Sequence, residues 1–260
     1  MPTIKLTNGK LRYKTIPLYG GIKRINKEIA FKNLCLLKQV LDEQGVPFQL
    51  AYGTLLGAVR EKDFITHDED IDLFILGENR RKLFDALPAL IAVGFKVARY
   101  DRRDLLSVIK DEEYIDFYIC EKFSFDGKDL RKCSGIVFPA FFFESSTKLN
   151  FKGVDFDVPA EYIFFLRCGY GKGWVTPVEY FNYEMPRYRR IMNRIMGEIK
   201  EMLPDCLFHY LAEKKEQKVI DRTYKRLYKR FHDDEELAQF CKVNGFELEN
   251  YCKFTVKAVL

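Results

Sequence analysis

The sequence predicts a mixed α/β fold, with a small mixed sheet flanked by helices and a helical C-terminal region. Three observations lead to this prediction. Amphipathic helical patterns alternate with short apolar runs of strand length over the first half of the chain. From Pro159 onward the apolar spacing is helical. No internal repeat or low-complexity linker interrupts the 260 residues, a length typical of one or two domains.

The elements of the first half are predicted from apolar spacing and from the residues that break it. Gly45 ends the first helix, and the pair Gly53-Thr54 separates a strand from the short helix that follows. In order, these elements are a helix at 26–44, a strand at 46–52, a short helix at 55–60, a strand at 71–76, a helix at 79–93 and strands at 95–100, 105–110 and 114–120.

The second half begins with a segment rich in Phe and punctuated by Gly, at about 122–158, in which 151–154 has the pattern of a hairpin. Helices follow at 187–200, 207–231 and 233–243. The predicted organisation is an N-terminal arm at 1–24, a main domain at 25–178 that includes 122–158 as an insertion, and a helical region at 179–260 packed on it.

Composition excludes several classes of protein. Hydrophobic residues make up 47% of the chain and charged residues 31%, which is typical of a globular protein. The net charge of +5 permits an anionic ligand but gives no reason to expect nucleic acid. Seven cysteines without a CxxC pair argue against a disulfide framework and a zinc ribbon. With no signal-like start and no apolar run of membrane-spanning length, we expect a cytoplasmic location.

The acidic run at 68–72 is the most informative segment. Asp70 and Asp72 are one residue apart at the start of an apolar strand, so both side chains point to one face while Ile71 enters the core. Asp68 joins that face if the strand begins early, and Glu69 does not. Two like charges so close need a cation between them, and oxygen ligands favour Mg²⁺ or Mn²⁺. The alternative is a solvated acidic turn.

Four further residues complete the candidate site. The Gly53-Thr54 turn precedes a short helix, whose free amides can bind phosphate oxygens, and Arg60 can add a phosphate clamp. Asp116 is a lone charge in a later apolar strand, where a carboxylate is costly without a partner. The alternatives are an ordinary turn with a solvated Arg60, and for Asp116 a structural ion pair or an edge-strand charge.

Together these motifs resemble the LicD family, to which fukutin-related proteins belong and whose fold is that of nucleotidyltransferases. The resemblance covers 26–177 and rests on two blocks of residues. The first block is YGTLLGAVR at 52–60, Phe64-Ile65, DEDID at 68–72 and Ile115-Asp116-Phe117. The second is Phe151-Lys152-Gly153, Val158-Pro159 and YGKGW at 170–174 with Pro177. Two departures are His67, where the family commonly has Trp, and Glu69, where it has Asp.

The resemblance implies a phosphotransferase that moves phosphocholine or a phospho-alditol from a CDP-linked donor, such as CDP-choline, to a glycan of a capsule, lipopolysaccharide or teichoic acid. Asp70 and Asp72 would bind the metal with Asp116, and Asp116 or else Asp68 would act on the acceptor hydroxyl. The remaining residues would hold the donor, namely Gly53, Thr54 and Arg60 at its phosphates and Tyr170 and Trp174 by stacking. The insertion at 122–158 would lie on the acceptor side.

Two alternatives to that function stay open. One is an enzyme of the same fold that transfers NMP from an NTP to a small molecule or protein. The other is a module without enzymatic activity that binds through basic helices. Between Arg187 and His232 the chain has thirteen Lys or Arg against six Asp or Glu, an excess that suits peripheral docking on an anionic membrane beside a lipid-linked acceptor, or simply a solvated face.

Overall fold

The computed structural model describes residues 1–17, 23–178 and 203–248, together with 186, 188, 191, 192, 195, 196 and 199. It confirms the predicted fold class, a mixed α/β protein with a helical C-terminal region. The strands are β1 (Thr3–Leu6), β2 (Gly9–Arg12), β3 (Gln49–Leu50), β4 (Ile71–Leu76), β5 (Lys96–Tyr100), β6 (Leu105–Lys110), β7 (Glu113–Phe125), β8 (Lys128–Cys133), β9 (Ile136–Pro139), β10 (Ser146–Phe151) and β11 (Val154–Pro159). The α-helices are α1 (Lys27–Glu43), α2 (Tyr52–Arg60), α3 (Arg80–Ala92), α4 (Tyr162–Tyr170), α5 (Asp205–Asp233) and α6 (Glu235–Val243).

A seven-stranded mixed sheet positions the candidate site. Its strand order is β3-β4-β7-β6-β5. The C-terminal half of β7 also pairs with β8, and β8 pairs with β9. Strands β4 and β7 are parallel, whereas the other pairs are antiparallel. Strand β4 lies inside the sheet, and its Ile71, Leu73 and Ile75 are fully buried. Its apolar run therefore reads as continuous, as expected for a strand covered on both faces.

The region predicted as an N-terminal arm differs from that prediction. Strands β1 and β2 pair as an antiparallel hairpin, and the backbone N–H of Thr7 between them donates to Asp85 of α3 at 2.7 Å. Ile4 is buried in the same hydrophobic core as the sheet. The short alternation that looked like an exposed arm is therefore a hairpin, which buries one apolar side against the main domain.

Part of the segment 122–158 continues the main sheet. The second half of β7 and strands β8 and β9 extend the main sheet, and β10 pairs with β11 in the predicted hairpin. Cys120 and Cys133 are directly opposed on β7 and β8 and form a disulfide. Cysteine spacing did not predict this bond, because the two residues become neighbours only through strand pairing. Among the described cysteines, Cys35, Cys168, Cys206 and Cys241 are free.

The C-terminal region shares the core of the main domain. Tyr224 and Leu227 of α5 and Leu237 of α6 belong to the same buried cluster as the sheet. Helix α4 is joined to the start of α6, where Arg167 donates to Asp234 at 2.7 Å. Most of the predicted helix 187–200 lies outside the described residues. None of the helices in the described ranges is long and apolar enough to cross a membrane.

Candidate active site

The start of α2 holds the carboxylate of Asp72. The sequence predicts a strand up to Tyr52, but β3 ends at Leu50 and α2 begins at Tyr52. The Tyr52 ring packs edge-on against Phe74 and Tyr118, and this packing places Gly53 in the first helical turn. The Gly53 N–H donates to Asp72 Oδ2 at 2.9 Å. An amide freed at a helix start thus binds the carboxylate of this protein.

Thr54 holds the backbone of the same residue. Its hydroxyl accepts a hydrogen bond from the Asp72 N–H at 2.9 Å, and Thr54 is buried. This side chain therefore fixes α2 against β4 and does not face open space. The pair Gly53-Thr54, expected from the sequence to hold donor phosphate, instead contacts Asp72 in this structure through one amide and one hydroxyl.

Asp116 is the register partner of Asp72 on the neighbouring parallel strand. Its Oδ2 accepts a hydrogen bond from Arg99 Nη2 at 2.9 Å, and its Oδ1 accepts one from the hydroxyl of Ser107. Asp116 is 2% exposed, whereas the Arg99 side chain is 41% exposed. Asp116 thus already has a cationic partner, which is the structural ion pair that the sequence left open as an alternative.

The turn before β4 brings Asp68 to Gly53. A Cβ at position 53 would lie 2.2 Å from Asp68 Oδ2 and 3.2 Å from Asp72 Oδ2. Only glycine allows the backbone of α2 to come this close to both carboxylates. Glu69, which strand alternation predicted to point away, faces the same cavity, because the strand begins only at Ile71 and alternation does not apply before it.

These side chains line a cavity of about 810 Å³, here called the carboxylate cavity. Asp116 is not among the residues that line it. Within the described residues, Arg60 is the one Lys or Arg side chain at its wall. The residues that line the cavity are Tyr52, Gly53, Leu56, Arg60, Ile65, His67, Asp68, Glu69, Asp70, Asp72, Tyr118, Ser134, Ile136, Tyr170, Gly173, Trp174, Thr176 and Val178.

Burial and mutual repulsion disfavour the charged forms of the acidic residues. Burial, together with the charges of Asp72, Asp116, Asp68 and Glu69, raises the pKa of Asp70 to about 10. Burial and the charges of Asp68 and Asp116 also raise the pKa of Asp72, although hydrogen bonds from Gly53 and Tyr118 oppose this shift. Burial raises the pKa of Asp68 and that of Asp116, the latter against the effect of Arg99. Additional positive charge would therefore favour the charged forms of these carboxyl groups.

The donor atoms suit a hard divalent cation. Among the residues that the structure describes, no Lys or Arg forms an ion pair with Asp68, Asp70 or Asp72. Carboxylate oxygens are the ligands that Mg²⁺ and Mn²⁺ prefer. In the described part of the chain, however, no three Asp, Glu, His or Cys side chains are already gathered into a set that could hold a metal ion.

The other predicted residues line the same cavity. Arg60 donates from Nη1 to the backbone oxygen of Trp174 at 3.3 Å, and its Nη2 is paired with Glu61 Oε1 at 2.6 Å. This contact joins the loop after α4 to α2, and Tyr170 and Trp174 line the same cavity as the carboxylates. Burial, followed by the charges of Asp72 and Asp68, raises the pKa of the Tyr170 hydroxyl.

Sequence reasoning missed Arg99, Ser107 and Tyr118. Arg99 is a charged residue within the apolar pattern of β5, and such a residue commonly has a buried partner. Its partner could not be named, however, because β6 separates β5 from β7 in the sheet. Tyr118 follows Asp116 by two residues on β7, so strand alternation alone places both on one face.

Comparison with known proteins finds a family that part of this chain matches. Residues 45–161 match the family described as "LicD/FKTN/FKRP, nucleotidyltransferase domain". An uncharacterized protein of Rickettsia typhi is 28% identical over 102 residues, which are 38% of this chain and 32% of that protein. This chain thus matches about a third of the length of that relative.

Two solved structures of the antibiotic-resistance factor ANT(2'')-Ia are also similar. A crystal structure in complex with adenylyl-2''-tobramycin has 16% sequence identity and a TM-score of 0.39, and covers 75% of this chain and 98% of its own. A solution structure has 17% identity and a TM-score of 0.41, and covers 74% and 98%. The match of residues 45–161 to this family supports a transferase, and it covers a little less than half of the chain.

Proposed function

We propose that this protein is a metal-dependent transferase that moves a substituted phosphate group, of the phosphocholine or phospho-alditol type, from a CDP-linked donor to a hydroxyl of a cell-surface glycan. The observation that carries the proposal is the convergence of Asp68, Asp70 and Asp72 on one cavity without a basic partner among the described residues. Transfer of a phosphate group requires charge neutralisation and positioning more than covalent chemistry.

Asp70 and Asp72 would hold Mg²⁺ or Mn²⁺, with Asp116 as a third carboxylate beside Asp72. When bound, the cation would neutralise charge on the donor diphosphate and on the leaving CMP. Side-chain rotation would have to bring Asp70 and Asp72 together around it. For Asp116, recruitment also requires that its carboxylate exchange the Arg99 guanidinium for the cation, since both its oxygens accept hydrogen bonds.

Among the protein's own groups, Asp68 is placed best to accept the proton of the acceptor hydroxyl. It lines the carboxylate cavity with Asp70, whereas Asp116 does not line this cavity and is paired with Arg99. This position supports Asp68 as the first choice of base, whereas the sequence suggested Asp116 first and Asp68 second. A carboxylate within hydrogen-bond reach of the attacking hydroxyl is the usual general base for such a step.

Arg60, Tyr170 and Trp174 would hold the donor. Arg60 supplies the guanidinium that faces a phosphate group, and Tyr170 and Trp174 offer aromatic surface to the cytosine or to the transferred group. Gly53 keeps the backbone near the donor site because any side chain there would meet Asp68. Thr54 would act through Asp72, whose backbone it holds, and not by direct contact with the donor.

The second candidate is transfer of NMP from an NTP, which the description of the family as a nucleotidyltransferase domain favours. One experiment separates the two. The purified protein is incubated with Mg²⁺ and either CDP-choline, CDP-glycerol, CDP-ribitol or an NTP, and products are identified by mass spectrometry. CMP released from a CDP compound supports the proposal, whereas pyrophosphate released from an NTP supports the second candidate. Asp72→Asn serves as the inactive control in each case.

A lipid-linked acceptor would bring the protein to the inner face of an anionic membrane. Six described positions between 188 and 199 are exposed apolar residues at spacings of three and four, namely Tyr188, Ile191, Met192, Ile195, Met196 and Ile199. An apolar stripe in a basic segment is typical of helices that lie in a membrane surface. This stripe supports a cytoplasmic, peripheral location for the acceptor side of the reaction.

A further inference from the structure

A second cavity, of about 240 Å³, adjoins the carboxylate cavity. Tyr52, Ile136 and Tyr170 line both cavities, so the two share one wall. Helix α5 contributes Thr223, Arg226, Leu227 and Arg230 to the wall of the second cavity, and β9, α4 and the first residue of α2 supply the rest. We refer to it below as the arginine cavity.

The arginine cavity carries positive charge that no acidic residue at its wall balances. Arg226 and Arg230 are four residues apart on α5 and therefore occupy the same helix face. None of the residues lining the cavity is Asp or Glu, and within the described residues neither arginine is in an ion pair. Arg230 is anchored by donation from its Nη1 to the backbone oxygen of Arg167 at 3.3 Å.

The pKa of Arg230 agrees with an excess of positive charge in the arginine cavity. Burial lowers its pKa, and of the two neighbouring groups that act on it, Cys168 raises the pKa and the positive charge of Arg226 lowers it further. Arg226 itself is exposed. Two guanidinium groups that face one space without a carboxylate make an environment in which an anion with two negative charges is stabilised.

We propose that the arginine cavity is a binding site for a phosphate group of a substrate whose reacting end lies in the carboxylate cavity. The proposal deepens the proposed function and rests on it, because it takes the bound molecule to be a substrate of that reaction. Binding of the phosphate group itself does not depend on catalysis. Guanidinium groups recognise phosphate through paired, charge-assisted hydrogen bonds. The phosphate belongs either to the donor diphosphate or to a phosphate carried by the acceptor, and the two sources can be separated.

The test measures binding of inorganic phosphate by isothermal titration calorimetry in the presence of EDTA. Without a divalent cation the carboxylate cavity repels phosphate, so the signal reports the arginine cavity. The variant Arg226→Gln/Arg230→Gln should bind phosphate at least about tenfold more weakly than the wild type, since charge-assisted hydrogen bonds are lost. The matched control Arg222→Gln/Lys229→Gln removes the same charge from exposed positions of α5 that line neither cavity.

The control variant should retain wild-type affinity. An equal loss in both double variants would overturn the proposal, because it would reflect the general positive charge of the helix. Absence of phosphate binding in the wild-type protein would also overturn it. If Arg230→Gln impairs folding, as judged by circular dichroism, the single variant Arg226→Gln decides the matter, since it alters an exposed side chain and should still weaken binding severalfold.

The source of the phosphate follows from a second titration with CDP-choline, again in EDTA. If Arg226→Gln/Arg230→Gln weakens CDP-choline binding as much as phosphate binding, the site holds the donor diphosphate. If CDP-choline binding is unchanged while phosphate binding is lost, the site holds a phosphate of the acceptor. All titrations are repeated with the inactive variant Asp72→Asn. Failure of the proposed reaction can then be distinguished from failure of phosphate binding, because binding is measured without turnover.

Discussion

Asp72 lies directly opposite Asp116 on the neighbouring parallel strand, and both carboxylates stand on the same face of the sheet. Asp72 is held by the Gly53 amide, whereas Asp116 is held by Arg99 and Ser107. One carboxylate thus faces a cavity without a cationic partner, and the other has one. The two residues are therefore expected to respond differently to a cation.

Neutralising Asp70 or Asp72 should abolish the response to metal. Asp70→Asn and Asp72→Asn are each expected to lower turnover at least about a hundredfold, because charge stabilisation by a bound cation is worth several kcal/mol. In EDTA, Asp70→Asn should melt at a higher temperature than the wild type, since repulsion among buried carboxylates is relieved. Thermal melts with and without Mg²⁺ test both statements. A variant that keeps normal turnover would refute the metal assignment.

Arg99 should compete with a cation for Asp116. Arg99→Gln is expected to lower the Mg²⁺ concentration needed for half-maximal stabilisation by about fivefold, which corresponds to a partly exposed ion pair of about 1 kcal/mol. Asp116→Asn should raise that concentration. Mg²⁺ titrations followed by melting temperature measure both effects. If neither variant changes the metal requirement, Asp116 is a structural ion-pair partner and not a ligand.

Gly53→Ala should reduce activity without a matching loss of stability. Alanine favours the helix in which position 53 lies, but its Cβ would sit 2.2 Å from Asp68 Oδ2. We expect the Asp68 side chain to be displaced and turnover to fall at least about tenfold, as misplaced catalytic groups commonly cause. Steady-state rates and urea unfolding of the same preparation separate the two quantities. Unchanged turnover would mean that the position of Asp68 is not important for the reaction.

The contact between Arg167 and Asp234 should stabilise the junction of α4 and α6. Asp234 accepts from Arg167 at 2.7 Å and from the Leu237 N–H at 3.2 Å. Asp234→Ala is therefore expected to lower the free energy of unfolding by about 3 kcal/mol, the typical cost of breaking a buried pair. Removing the exposed partner of Lys242 by Glu247→Ala should cost less than about 1 kcal/mol. Urea unfolding compares them.

Asp234 should also make the free energy of unfolding depend on pH, in a direction that follows from its pKa. Burial raises the pKa of Asp234, but hydrogen bonds from Arg167 and Leu237 outweigh it and hold the pKa below its ordinary value of 3.8. A lowered carboxyl pKa contributes stability that is present above pH 3.8 and lost as the pH falls through the folded-state value. The stability difference between wild type and Asp234→Asn should thus shrink below that pH. A constant difference would argue against the ion pair.

Binding to anionic vesicles should depend on the exposed apolar stripe and on the basic charges around it. Ile191→Ser/Ile195→Ser and, separately, Lys218→Glu/Arg222→Glu are expected to weaken sedimentation with vesicles that contain phosphatidylserine. Each basic residue near such a surface contributes about 1 kcal/mol, and the effect fades with salt. Turnover on a soluble acceptor fragment should survive all four changes. Unaltered sedimentation would favour the alternative that this basic face is only solvated.

The sequence by itself determined the local features of the site. Strand alternation places Asp72 on the face opposite Leu73, glycine at position 53 allows a close approach, and the acidic run lies at the edge of a buried strand. Residues within one element keep the same spacing in every fold, so their relative direction follows from the pattern alone. For this reason the direction of Asp72 could be predicted without coordinates, whereas Asp68 and Asp70 precede β4 and reach the same cavity through the turn before the strand.

Only the tertiary structure decided which distant residues meet. The pairing of Arg99 with Asp116 depends on the order β7-β6-β5, and the disulfide of Cys120 with Cys133 depends on the register of β7 with β8. Helix α2 begins at Tyr52 because its ring packs on two strands. The arginine cavity exists because α5 returns to β9. These contacts form because several elements bury their apolar surface in one shared core. The free energy of that burial depends on all of these elements together, so no single segment predicts the contacts.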